Sequence, residues 1–149
     1  KESTRHCMSE PVFVDTWGWL TLNDAGERRH SDVVRFYRTL IQQRTLIYTT
    51  TFVLDETFTL FFKRLNPVQA ERSMVQLSEA FRGDRFHLIQ IDAQRFSQAQ
   101  ALRLKYLDKP QISFTDLTSM VVMNEFNINR ILTEDAHFIQ VGLGFERLP

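Results

Sequence analysis

The feature that most constrains this chain is an alternation. Apolar runs too short for helices recur between longer segments whose apolar residues repeat at helical spacing. Val12, Phe13 and Val14 form the first run and end at Asp15. Residues 46–48, 86–91 and 130–132 form three more, and 138–141 is the candidate for a fifth. Between them, residues 30–44 place Val33, Val34, Phe36, Tyr37, Leu40 and Ile41 at helical spacing. Residues 51–65 do the same with Leu54, Phe58, Phe61, Phe62 and Leu65, and 113–126 with Leu117, Met120, Val121 and Met123. Pro67 opens another helix that runs to about residue 81, before Gly83, and Asp92 is a natural N-cap for a helix through residue 107. Short strands alternating with helices predict an α/β fold. Its centre is a mostly parallel sheet of four or five strands covered on both faces, a three-layer α/β/α sandwich. Ligands of such sheets bind beyond the carboxyl ends of the strands, where the strand order reverses.

Size and composition narrow the reading. A chain of 149 residues suits one domain, and thirteen phenylalanines supply large core side chains. Five glycines and four prolines are too few for a disordered or loop-rich chain. Residues 1–10 read as a polar, aperiodic extension and 11–149 as the domain. The single cysteine, Cys7, excludes an intramolecular disulfide framework and has no sequence neighbour that suggests a nucleophile. No apolar run approaches the roughly 20 residues of a membrane span and no signal peptide is visible, so a cytoplasmic location is expected. With 18 basic and 18 acidic residues the formal charge is zero. Any grip on nucleic acid must therefore be local.

The chemistry-bearing residues at the strand ends are acidic. Asp15 follows the first strand, and Glu56 lies in the first turns of the helix after the second. Asp116 lies in the first turn of the helix before the fourth strand, and Asp135 sits just past that strand. Like charges at short range raise one another's pKa, so a cluster of four carboxylates calls for a cation. An oxygen-rich donor set selects Mg²⁺ or Mn²⁺, which serve phosphoryl transfer by activating water and neutralising developing charge.

Four short stretches carry a resemblance. Val12-Phe13-Val14-Asp15-Thr16-Trp17-Gly18-Trp19 resembles the opening strand and first acid of PIN domains. Thr50-Thr51-Phe52-Val53-Leu54-Asp55-Glu56-Thr57 is similar to their second motif, Ser113-Phe114-Thr115-Asp116-Leu117-Thr118-Ser119 to the third, and Leu132-Thr133-Glu134-Asp135-Ala136-His137-Phe138 to the fourth. The segment from Gly142 to Phe145, with Leu148, is similar to the usual tail. Within that family the chain is most similar to the VapC-like toxins of bacteria and archaea. The resemblance implies a metal-dependent endoribonuclease that hydrolyses RNA phosphodiesters as the toxin of a toxin–antitoxin pair. It implies Asp15, Glu56, Asp116 and Asp135 as ligands of Mg²⁺ or Mn²⁺, with a small antitoxin partner and a homodimer. The alternative is a PIN scaffold that binds RNA or protein without cutting it. A phosphoacceptor receiver domain, also α/β with acids at strand ends, is disfavoured: Thr16 replaces a paired acid after Asp15, and no lysine follows Lys109.

Plainer roles compete for the same residues. Asp15 could close a turn or cap the following helix. Ser113 and Asp116 approximate a capping box, whereas Glu56 does not, because Val53 stands three before it. Glu134 competes with Asp135, and motif register favours Asp135. Asp92 reads as a helix cap, and Asp55 points about 100° away from Glu56 around its helix. Thr16, Thr115 and Thr133 adjoin acids and either orient carboxylates or satisfy local backbone. Trp17 and Trp19 read as core or dimer packing rather than base-stacking platforms, and His137 as structural. Arg28, Arg29, Lys63 and Arg64 are the phosphate-contacting candidates, although such short charge runs are usually solvated.

Overall fold

In the computed structural model, which describes residues 9–149, five strands form one sheet in the order β3-β2-β1-β4-β5, and every neighbouring pair is parallel. The strands are β1 (Val12–Val14), β2 (Ile47–Thr50), β3 (Phe86–Ile89), β4 (Arg130–Leu132) and β5 (Glu146–Leu148). The connecting helices are α1 (Thr16–Asn23), α2 (His30–Gln42), α3 (Thr51–Arg64), α4 (Pro67–Ala80), α5 (Ala93–Lys105), α6 (Phe114–Glu125) and the single-turn α7 (His137–Gln140). This is the expected α/β/α arrangement. The receiver alternative is excluded by topology, since that fold orders its strands 2-1-3-4-5. Cys7 and most of the proposed extension lie outside the described residues.

The central strands are buried on both faces, as parallel strands between helical layers must be. Val12, Phe13, Val14, Ile131 and Leu132 are wholly buried. Local signals start the helices. Thr50 caps α3 by accepting from the Val53 amide, Asn66 caps α4 with Pro67 at its first position, and Asp92 caps α5 through the Arg95 amide. Ser113 caps α6 by accepting from the Asp116 amide at 3.0 Å. The loop into α6 is held by Arg103, whose guanidinium donates to the carbonyls of Tyr106, Lys109 and Ile112 at 2.6–2.8 Å. Arg95 ties α5 to the far end of α6 through Glu125 at 2.6 and 3.0 Å.

One expectation is corrected. Residues 138–141 do not begin the fifth strand: His137–Gln140 is helical, and Phe138 plugs the core with no exposed surface. The fifth strand is Glu146–Leu148, whose side chains lie largely in solvent at the sheet edge. The other elements match their expected ranges to within a few residues at each end.

The structure also adds α1, which packs directly onto the β1–β4 seam. A Cβ on Gly18 would lie 2.8 Å from Val14 Cγ1 and 2.9 Å from the Leu132 carbonyl oxygen. Behind it, Trp19 is buried and donates from Nε1 to Thr49 Oγ1 at 3.2 Å, and that hydroxyl donates to the Val14 carbonyl at 2.9 Å. Gly18→Ala should therefore force helix and strands apart and destabilise the fold by about 1–3 kcal/mol. Urea denaturation of the two proteins measures it; equal midpoints would show that α1 can shift without cost.

Candidate metal-binding and active site

The strand order reverses between β1 and β4, because the chain leaves β1 towards β2 on one side and returns to β4 on the other. That crevice is where a parallel sheet exposes its ligand site. Asp15 ends β1 there, and Asp135 lies three residues beyond β4. Helix α3 starts at the same end because it follows β2 without a gap. Helix α6 must start there too, since its far end feeds the opposite end of β4. One cavity of about 490 Å³ results, lined by Asp15, Glu56, Asp116 and Asp135 together with Glu134 and His137. All four acids singled out in the sequence meet in it.

Three of the four carboxylates are held by hydrogen bonds from neighbours. Asp15 stands at the N-cap position of α1 but makes no capping hydrogen bond with its side chain. Its Oδ2 accepts instead from the Thr133 hydroxyl at 2.8 Å, across the β1–β4 seam. The same Thr133 oxygen accepts from the Asp135 amide at 3.0 Å, so one side chain just past β4 organises two acids. Glu56, on the solvent side of the cavity, accepts from the Thr16 hydroxyl at 3.0 Å. Asp135 turns the chain into α7 by accepting from the His137 amide at 2.8 Å. Thr16 and Thr133 thus orient carboxylates. Thr115 does not line the cavity, and its carbonyl accepts from the Thr118 hydroxyl.

Electrostatics disfavour full ionisation of this cluster. Burial pushes the Asp15 carboxyl up to about 6 from an ordinary 3.8, with Glu56 and Asp135 adding repulsion against the lowering effect of the Thr133 hydrogen bond. Asp116 is raised as well, first by burial and then by the charges of Asp15 and Asp135. The Ser113 hydroxyl, near the Asp116 carboxyl, works partly against this, as does the N-terminal end of α6. Asp116 is therefore both a first-turn residue of a capped helix and a buried wall of the acidic cavity, and the two roles do not compete. The cap is made by Ser113 to the Asp116 backbone, leaving the carboxylate free to face Asp135.

His137 is the cavity residue the sequence reading set aside as structural. Its Nδ1 lies 2.9 Å from Asp135 Oδ1 and 3.8 Å from Asp116 Oδ2, yet that buried nitrogen forms no hydrogen bond. Donor atoms of Asp116, Asp135 and His137 all fall within 4.8 Å of one another. No second histidine lies at zinc-site spacing in the sequence, and this histidine reaches the acids through the turn at Asp135 instead. The other residues sort plainly. Trp19 is core, whereas Trp17 lines the cavity beneath the Arg29 guanidinium, 5.7 Å from its ring centre. Arg64 pairs with Glu27 at 3.3 Å and Arg29 with Asp32 at 3.7 Å. Asp92 caps α5, and Asp55 is exposed outside the cavity.

An orphaned buried nitrogen beside converging carboxylates, two of them held above their ordinary pKa, is the chemistry of a cation site. The residues fit a divalent metal.

Known proteins share this architecture, and one of them is also similar in sequence. VapC20 of Mycobacterium tuberculosis, a 23S rRNA-specific endonuclease, is 29% identical over 132 residues, spanning 88% of this chain and 94% of that protein. The crystal structure of VapC20, described as a sarcin–ricin loop cleaving toxin, superposes with a TM-score of 0.74 at 27% identity, over 88% of this chain and 95% of that one. VapBC2 from Rickettsia felis, solved bound to a DNA fragment from the promoter, superposes with a TM-score of 0.67 over 95% of this chain and 100% of that one. At 15% identity it shares the fold alone. The sequence matches the PIN domain over residues 12–143, and the chain belongs to the PIN domain family.

Proposed function

We propose that this chain is a divalent-cation-dependent endoribonuclease that hydrolyses a phosphodiester in structured RNA, acting as the toxin of a toxin–antitoxin pair. The observation that carries the reading is the meeting of Asp15, Glu56, Asp116 and Asp135 in one cavity at the sheet's switch point. The VapC20 likeness over most of both chains makes a 23S ribosomal RNA loop the first substrate to test. The reading takes residues 11–149 as the working domain, in the cytoplasm, as a homodimer with a small antitoxin. No helix among the described residues is long and apolar enough to cross a membrane.

The four carboxylates would hold one or two Mg²⁺ or Mn²⁺ ions. Bound there, such ions supply the activated nucleophile and the charge neutralisation that phosphodiester hydrolysis needs. Thr133 and Thr16 keep Asp15 and Glu56 in place before substrate arrives. No Lys or Arg is among the described residues lining the cavity, so phosphate is recruited at its rim, where Arg29 sits over Trp17. Purified protein with Mg²⁺ or Mn²⁺ should cut a pool of structured RNAs that includes 23S rRNA, and EDTA or Asp15→Asn should stop it. Cleavage that survives both would be a contaminant's, and a clean preparation that never cuts but still binds RNA would favour a binding-only scaffold.

The two roles of Asp116 separate by substitution. Asp116→Asn keeps the backbone amide that Ser113 caps and removes a repelled charge. The apo melting temperature should hold or rise while cleavage drops by two orders of magnitude or more, about 3 kcal/mol in the barrier. Ser113→Ala should cost about 1 kcal/mol of stability and leave most of the cleavage. Near-parental cleavage by Asp116→Asn would remove the third acid from the site.

Stability should report the cluster directly. A carboxyl whose pKa is raised on folding binds its proton more tightly in the folded state, so its contribution is complete below about pH 4 and is lost as pH rises. For Asp15 the loss runs from pH 3.8 through about 6 and amounts to about 3 kcal/mol. Asp116 acts in the same direction. A cation competes with those protons and binds only the folded state, so its stabilisation grows with pH. Melting curves at pH 5 and pH 8 should show a much larger shift on adding Mn²⁺ at pH 8, and Asp15→Asn should flatten the apo profile. Equal shifts at both pH values would contradict a carboxylate cation site.

A further inference from the structure

We infer that His137 supplies a nitrogen ligand, through Nδ1, to the cation held by Asp116 and Asp135, and that this biases the site towards Mn²⁺ over Mg²⁺. The inference rests on the function proposed above, which needs only the carboxylates. Three features point to it. Nδ1 is hidden from solvent and, although it lies beside the Asp135 carboxylate, makes no hydrogen bond to it, an uncommon state for a buried polar atom. It lies 2.9 Å from Asp135 Oδ1, and adjacent donors on one octahedral cation sit about 3 Å apart when each bond is about 2.1 Å. The chain also builds this placement locally. The Asp135 carboxylate accepts from the His137 amide, and Phe138 anchors the next residue in the core, so the imidazole is turned back onto the acids. Imidazole is a softer donor than carboxylate or water, and along the divalent series it favours Mn²⁺ and later metals over Mg²⁺.

The competing account makes His137 a positively charged partner of the acids, with no bond to metal. Mn²⁺ is paramagnetic, so its electron spin echo modulation reports directly bound nitrogen. Tag-free protein loaded with Mn²⁺ should show ¹⁴N coupling, replaced by the ¹⁵N pattern in protein grown on ¹⁵N-labelled histidine. Isotope exchange alters no residue, so this arm does not depend on a variant folding. His137→Gln should abolish the coupling and weaken Mn²⁺ at least about tenfold, the low end of what losing even an outer-sphere support costs, while weakening Mg²⁺ much less. Coupling that persists in His137→Gln comes from another histidine and overturns the assignment. Bound Mn²⁺ without histidine coupling in the parent also overturns it, and leaves the carboxylate site and the nuclease reading standing. Failure of the parent to bind either ion overturns both.

Discussion

Placing like charges together away from water is the constraint around which the rest of this structure is arranged. Asp15 and Asp116 are more than nine-tenths hidden from solvent, and each is opposed by its acidic neighbours. No local sequence preference would assemble such a pair. It persists because β1, β4 and α6 are fixed by a core that the acids do not contribute to, built from Phe13, Ile131, Leu132, Leu117 and Met120. The hydroxyl of Thr133 then locks Asp15 and the Asp135 amide together across the seam. Strain of this kind is stored where function needs it and offset by burial elsewhere.

The parallel sheet explains why four such distant stretches can share a site. Every strand points the same way, so each chain segment leaving a strand does so at one end of the molecule. Crossover helices return to the other end, which places the first turn of α6 beside the last residues of β1. Helix α1 is seated against the same layers at Gly18, where an added Cβ would lie 2.9 Å from the Leu132 carbonyl oxygen. Geometry at the site is thus a property of the layers, with the loops adding only the turn at Asp135.

This division explains what could be read from the sequence. The acids are legible because each is a strand-end or helix-start position set in a recognisable local string, and the alternation of short apolar runs with segments of helical period predicts the layers. The fifth strand was misplaced because Phe138 to Val141 is an apolar run short enough to be either element. The true β5, Glu146-Arg147-Leu148, is a polar edge strand that carries little hydrophobic signal. The seating of Gly18 and the approach of His137 to Asp116 depend on contacts between segments far apart or on a side-chain rotamer. Neither leaves a mark in residue spacing.

Charge distribution gives the site its order of events. The protein is neutral overall, but the cavity gathers five carboxylates, Asp15, Glu56, Asp116, Glu134 and Asp135, and its described lining holds no Lys or Arg. Such a pocket repels a phosphodiester at short range, where low dielectric strengthens the repulsion and salt screens it least. RNA therefore cannot be drawn in by the acids that the proposed reaction requires. In that reaction a cation held by the carboxylates would displace their protons into solvent and offset part of their negative charge, and it would give the phosphate an attractive centre within the cavity. Arg29, beside Trp17 at the rim, can hold the strand meanwhile without neutralising the acids beneath it. On the proposed reaction a net charge of zero is no obstacle to cutting RNA, because attraction is needed at one spot and would be supplied by the bound metal.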